Sequence, residues 1–411
     1  MRRLLLVSTL VLAACSEEPA PQPPFKELPG TQVVFDPAAD LGRQRAFYDL
    51  PFPLDARLGP DGLPDLRGFP NRQSNETVEQ LRRTSATHPY TPVLPVAYFR
   101  FGAALAPRDP SEVIPAAPSS PLLLVDVDPG SPERGRLFPV VAHTIPADDY
   151  VPQHFLALAP RPGFVLAPKR AYAAVVMRSA LDAQGQPLGM PASLAKLLNG
   201  EQPQGERGEA LLKAYAPLKD GLLAAKVTLS EVAAATVFTT GDVVADLEAL
   251  SSRLVQKHDV TLTGLALDAD DGGSHERFCE VQGRVKYPQF QAGKPPFDTD
   301  GLFAAGADGL PEVQREEEAL IVLTLPKAPM PAEGYPLLLY FHGSGGLHDQ
   351  VVDRGRWDPK TEKNEKGKGP AHILSPYGIA TAGSALPVNP ERLQGAGEQA
   401  YLNLKNPPAF R

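Results

Sequence analysis

Tyr335-Pro336-Leu337-Leu338-Leu339-Tyr340-Phe341-His342-Gly343-Ser344-Gly345-Gly346 is the stretch on which the reading of this chain turns. Its first seven residues form an uninterrupted apolar run, the pattern of a strand buried on both faces of a parallel sheet. The run ends directly in a glycine-rich turn. Glycines let a backbone approach another group closely and adopt conformations closed to other residues. Such a turn can aim backbone N–H groups at the oxyanion that forms when a carbonyl carbon is attacked. The N–H of Ser344 is the first candidate donor, with those of Gly345 and Gly343 beside it, and His342 is expected to brace the loop and not to act as a base. A tight strand-to-helix connection with no chemistry is the plain alternative.

Outward from this stretch, two hairpin-like strands precede it, Arg277 to Lys286 and Glu318 to Leu325, with a further strand at Val260 to Leu267. The charged segment Lys360 to Lys368 reads as an exposed insertion. Upstream, residues 31–185 show short strands at close spacing, among them Tyr98 to Phe101, Leu123 to Asp128 and Tyr172 to Met177. Turn signals such as Asp128-Pro129-Gly130 and Pro160-Arg161-Pro162-Gly163 separate them, which is the rhythm of an antiparallel sandwich. Residues 191–257 are richer in Ala, Leu and Lys. There Val243, Leu247, Leu250 and Leu254 recur at helical spacing, and Thr228 with Glu231 fits a capping box. About three helices are expected in this segment, with Ala235 to Thr239 as a possible strand between two of them.

Composition bounds the function. The chain has 411 residues, enough for two or three domains at about 150 each. Forty Lys and Arg against 48 Asp and Glu leave a net charge of −8, so the basic footprint of a nucleic-acid partner is missing. The 46 prolines are about twice ordinary usage and exclude a helical bundle. The N-terminus pairs Arg2 and Arg3 with an apolar stretch from Leu4 to Ala14, too short to span a bilayer and read as a signal segment. Leu12-Ala13-Ala14-Cys15 resembles a bacterial lipobox, which implies that Cys15 is acylated and that the lipid bilayer is a partner. Ser16 in place of Asp implies an outer-membrane address. Residues 16–30 read as a Pro-rich tether. Cys279 is then the one remaining cysteine; it lies in an alternating stretch and is expected to be a small buried hydrophobe. The eight histidines form no HExxH and no Cys/His cluster has zinc spacing, so neither a metal nor another cofactor is expected.

Three segments, Phe99 to Pro107, Pro121 to Asp128 and Tyr172 to Leu188, resemble bacterial immunoglobulin-like modules. The lipobox, LPFPLDARLGPDGLPDLRGFP at 50–70, TVFTTGD at 236–242 and EGYPLLLYFHGSGG at 333–346 together resemble large bacterial lipoproteins with a C-terminal α/β-hydrolase, the virulence-factor lipase type. In α/β-hydrolases the oxyanion turn follows the third strand, and the strand leading to the nucleophile lies in the middle of the sheet. The resemblance implies an ester or lipid substrate, and by it residues 371–388 are the first hydrolase helix and the fourth strand. It also divides the chain: 1–15 signal and lipobox, 16–30 tether, 31–190 a β-rich immunoglobulin-like domain, 191–257 a helical segment, and 258–411 the first part of an α/β-hydrolase domain. Strand 336–341 should then be buried on both faces with the turn at its C-terminal end. A helical or exposed-edge placement would refute the hydrolase assignment.

One departure is serious. No GxSxG nucleophile elbow occurs in the chain, and only 65 residues follow Gly346. A chain truncated before its nucleophile, acid and catalytic His is the expected explanation. The 411 residues alone are therefore expected not to hydrolyse esters. A natural relative without the chemistry is the alternative, acting as an outer-membrane surface lipoprotein in a binding or structural role. Ser193 and Lys196 match an SxxK pattern with no partner motif. Asp268, Asp270 and Asp271 hint at a calcium loop, but the twelfth position is Cys279 and not Glu, so a hairpin turn is preferred.

Overall fold

The computed structural model describes residues 25–88, 90–269, 272–343, 345–386, 389–392 and 406. Strand outweighs helix, in several mostly antiparallel sheets, an arrangement compatible with a multidomain chain. Two compact units form: described residues up to Pro70 with Tyr90–Gly241, and residues 71–88 with those from Asp242 onward.

The first helix, α1 (Glu76–Ser85), belongs to the second unit. The Asn75 side chain caps it by accepting from Thr77 N at 3.0 Å and Val78 N at 3.3 Å. This helix lies where only strands were expected. It has no buried residue, so it carries no apolar face that a hydrophobic period could reveal.

The first unit holds β1 (Ala97–Arg100), β2 (Leu122–Asp126), β3 (Leu137–Phe138), β4 (Val140–Ile145), β5 (Phe155–Pro160) and β6 (Ala171–Met177). After them come α2 (Ala192–Leu198), α3 (Gly208–Tyr215), α4 (Leu218–Ala224) and β7 (Val232–Thr239). The strands make two antiparallel sheets, ordered β1-β5-β4 and β3-β2-β6-β7. β2 touches β4 and β5 of the other sheet, while α3 rests on β7 and α4 on β2. The middle strands β2 and β6 and the edge strand β7 are buried along almost their whole length. Small residues make the helical cover possible: a Cβ on Gly221 of α4 would stand 2.5 Å from Val127 Cγ1. The buried Tyr215 hydroxyl donates to Ala235 O at 2.8 Å.

Three expectations change here. Helices α2 to α4 share one core with the strands, so 191–257 is not a separate helical segment. Residues 25–30 do not act as a tether. Phe25 is buried in the same core, its N–H donating to Asn199 Oδ1 at 3.1 Å, and Leu28 bridges to Met190. Two apolar residues within a Pro-rich stretch are enough to dock it. Thr228 caps nothing through its side chain. It precedes a single 3-10 turn, Leu229–Glu231, because the β-branched residues that follow draw the chain into β7.

The second unit continues with α5 (Val243–Lys257), capped by Asp242 through Ala245 N at 3.0 Å. Then come β8 (Thr261–Leu267), β9 (Phe278–Gln289), β10 (Arg315–Pro326) and β11 (Leu337–Tyr340). The remainder is α6 (Gln350–Asp353), a small exposed hairpin of β12 (Trp357–Asp358) and β13 (Lys363–Asn364), α7 (Pro370–Leu374) and β14 (Ala380–Ser384). One sheet forms in the order β11-β14-β10-β9-β8. Its neighbours are antiparallel except β11 and β14, which run parallel with Leu337 opposite Ala380 and Tyr340 opposite Gly383. A parallel pair needs a crossover. Here α6 and α7 supply it, and Val351, Val352 and Ala371 bury against Phe278 and Val322.

β11 corrects the central expectation. It is not buried on both faces but is the edge strand, with Leu337 56% exposed, Leu339 61% and Phe341 71%. An apolar run has no mark telling a middle strand from an edge; only the neighbours decide. Among the described residues none pairs with its outer side. Cys279 is only partly exposed and is not a buried core residue. The alternation of β9 puts Phe278 and Glu280 on the buried side instead. The antiparallel β8–β9 pairing makes the segment around Asp268 a chain reversal; Asp270 and Asp271 lie outside the described residues.

Candidate functional site

The C-terminal end of β11 leads into His342 and Gly343, then Gly345 and Gly346; Ser344 and Cys15 lie outside the described residues. Gly346 N donates to Gly343 O at 3.0 Å, closing a tight turn. Gly345 sits at φ +68°, the left-handed region that favours glycine. At Gly346 a Cβ would lie 2.7 Å from His342 Cβ, so the turn folds hard against the imidazole. Among the described residues no acceptor meets the N–H of Gly343 or of Gly345.

His342 joins this turn to the segment after β14. Its Nε2 accepts from Leu386 N at 3.3 Å and from Asn389 Nδ2 at 3.1 Å. The ring proton is therefore assigned to Nδ1, which donates to Gly343 O at 2.9 Å. Asn389 is buried; its Nδ2 also donates to Gly346 O, and its Oδ1 accepts from Glu391 N at 2.7 Å.

Glu391 extends the network. Its carboxylate accepts from His348 N at 3.1 Å and from His348 Nδ1 at 2.7 Å. Asp349, next in the chain, has its carboxyl raised above the ordinary range by burial, with the His348 charge opposing that rise. The buried Arg392 donates to Glu317, donates to Ala385 O at 3.3 Å and stacks 4.7 Å over the Tyr287 ring. Burial pushes the Glu317 carboxyl up, but the hydrogen bonds and charges of Arg392 and Arg315 outweigh it and hold it below the ordinary value. One short segment after β14 thus ties the turn to the sheet.

Of the residues read from sequence, His342, Gly343 and Gly345 come together. Asn389, His348, Glu391 and Arg392 were not foreseen. His348 and Glu391 stand 43 positions apart, and no local pattern announces such a pair. At the opposite end of the sheet His275 Nε2 meets the buried Glu280 at 2.8 Å, and burial raises the Glu280 carboxyl. Ser193 donates to Phe35 O at 2.8 Å, a structural bond. Among the described residues no group of three or more His, Cys, Asp or Glu could hold a metal ion, and no helix is long and apolar enough to cross a membrane.

The described residues of the turn can present amides to an anion. No protein-family model matches the sequence, and no curated protein or solved structure matches it either.

Proposed function

We propose that this chain carries the oxyanion-hole part of a membrane-anchored esterase or lipase of the α/β-hydrolase type, held to the outer membrane through acylated Cys15. The observation that supports the reading is the sequence of elements around the turn. A strand ends in a glycine turn whose Gly343 and Gly345 amides have no acceptor among the described residues, and a helical crossover follows to a parallel neighbour. In this reading those amides, with that of Ser344, stabilise the oxyanion formed at a carboxylic ester. Loss of one such donor costs about 10²–10³ in kcat. The first unit, with its two antiparallel sheets, takes the place of the immunoglobulin-like module.

By the criterion set from the sequence, the exposed edge of β11 refutes a self-contained hydrolase in the described residues. It leaves the narrower reading, in which the strand leading to the nucleophile pairs with that edge. No GxSxG occurs in these 411 residues, so in this reading they do not supply the nucleophile. The same two facts favour the second reading, a non-catalytic surface lipoprotein that binds another envelope component. Reading the coding DNA past Arg411 separates the two. A GxSxG within about a hundred codons, with ester hydrolysis by the complete gene product, supports the first. A stop codon at that point supports the second.

A further inference from the structure

We propose that Asn389 is a positioning residue for the oxyanion turn, the pin of a clasp formed by the segment after β14. This rests on the reading of the turn as an oxyanion hole. Every hydrogen-bonding group of this buried amide is engaged. Nδ2 donates to Gly346 O and to His342 Nε2, Oδ1 accepts from Glu391 N, the backbone N–H donates to Leu386 O at 3.0 Å, and the carbonyl accepts from Arg392 N at 2.9 Å. The amide orientation is fixed by these partners, since the carbonyl of Gly346 needs a donor and the N–H of Glu391 an acceptor.

The pin holds the turn at both ends. Gly346 is gripped directly, and His342 is gripped through Nε2 while its Nδ1–H holds Gly343 O. The Gly345 amide lies between these two fixed points. Glycines give the turn its shape but no rigidity, so rigidity has to come from outside it. Oxyanion donors act only when held at about 2.7–3.1 Å from the developing charge, and a misplacement of about 1 Å can cost a hundredfold in rate. Asn389 touches no reacting atom in this account; it fixes the atoms that do.

The test uses the complete gene product with p-nitrophenyl butyrate, and two variants. Asn389→Leu removes every side-chain bond. Asn389→Asp keeps the acceptor for Glu391 N but turns the donor facing Gly346 O and His342 Nε2 into an oxygen. Both should lose about ten- to a hundredfold in kcat with KM changed by less than about threefold. In ¹⁵N-imidazole spectra of the 411-residue chain, His342 should carry its proton on Nδ1 alone, and in Asn389→Asp Nε2 should be protonated as well, because it then faces a carboxylate while Nδ1 still faces Gly343 O. A wild-type gene product without hydrolysis overturns the hydrolase reading and this proposal with it. An active wild type with unchanged kcat in either folded variant, or a change in KM alone, overturns the clasp and leaves the hydrolase standing. So does a His342 Nε2 still unprotonated in Asn389→Asp, or failure of both variants to fold, since either leaves only a structural role.

Discussion

Glu317, held between Arg392 and Arg315, shows how one carboxylate ties the site to the sheet. The Arg392 guanidinium is buried, with its side chain 5% exposed, and the carboxylate across from it supplies its counter-charge. Replacing Glu317 by Gln leaves that charge without a counter-charge and should destabilise the second unit by about 2 kcal/mol, less than for a fully buried pair. The folded Glu317 carboxyl titrates below its ordinary 4.5. The folded state therefore binds fewer protons than the unfolded state as pH falls past that value. The stabilisation is fully present above about pH 4.5 and is lost as pH drops through the folded pKa. The gap in Tm between wild type and Glu317→Gln should accordingly be widest near neutral pH and close progressively below pH 4.5. A gap independent of pH would mean that the two side chains are not an ion pair in solution.

At the scale of elements, β11 is the part of the fold where sequence and structure diverge most. Its alternation-free apolar run marks a strand, and a strand forms, ending in the glycine turn. The run could not show which sides would be covered, because β14, the neighbour that pairs with it, begins 40 positions after Tyr340. β2 and β6 read the same way and are buried, since two antiparallel neighbours each are at hand. The periodicity of α5 was legible because Val243, Leu247, Leu250 and Leu254 repeat within one element. α1 was not, because its stabilisation comes from the Asn75 cap and from Glu79 with Arg82 and Arg83, all polar and exposed or half-buried. Asn389 and Glu391 were illegible for a further reason: their role exists only after the chain has crossed over and returned. The edge of β11, unpaired among the described residues, carries its own prediction. An unpaired strand with exposed leucines is a template for another chain. Leu339→Lys should lower the self-association of the 411-residue chain in sedimentation velocity without changing its Tm appreciably. Association that persists unchanged would place the sticky surface elsewhere.

Across the whole molecule, the boundary between units falls at Gly241 and Asp242, and residues 71–88 belong with the second unit although the first surrounds them in sequence. The proposed N-terminal anchor is tested separately. Cys15→Ala should leave the protein unprocessed or released from the membrane fraction, and equal detergent-phase partitioning of mutant and wild type would remove the lipoprotein claim. The catalytic claim is tested most directly by one measurement, hydrolysis of p-nitrophenyl butyrate by the complete gene product, its Gly345→Pro variant and the 411-residue chain side by side. The complete product should turn over the ester. Gly345→Pro, which removes an N–H and cannot adopt the φ of +68° found there, should lose about 10²–10³ in kcat. The 411-residue chain should stay at background. An inactive complete product, or hydrolysis by the 411-residue chain that Ser344→Ala abolishes, would contradict the assignment of this turn as an oxyanion hole awaiting its nucleophile.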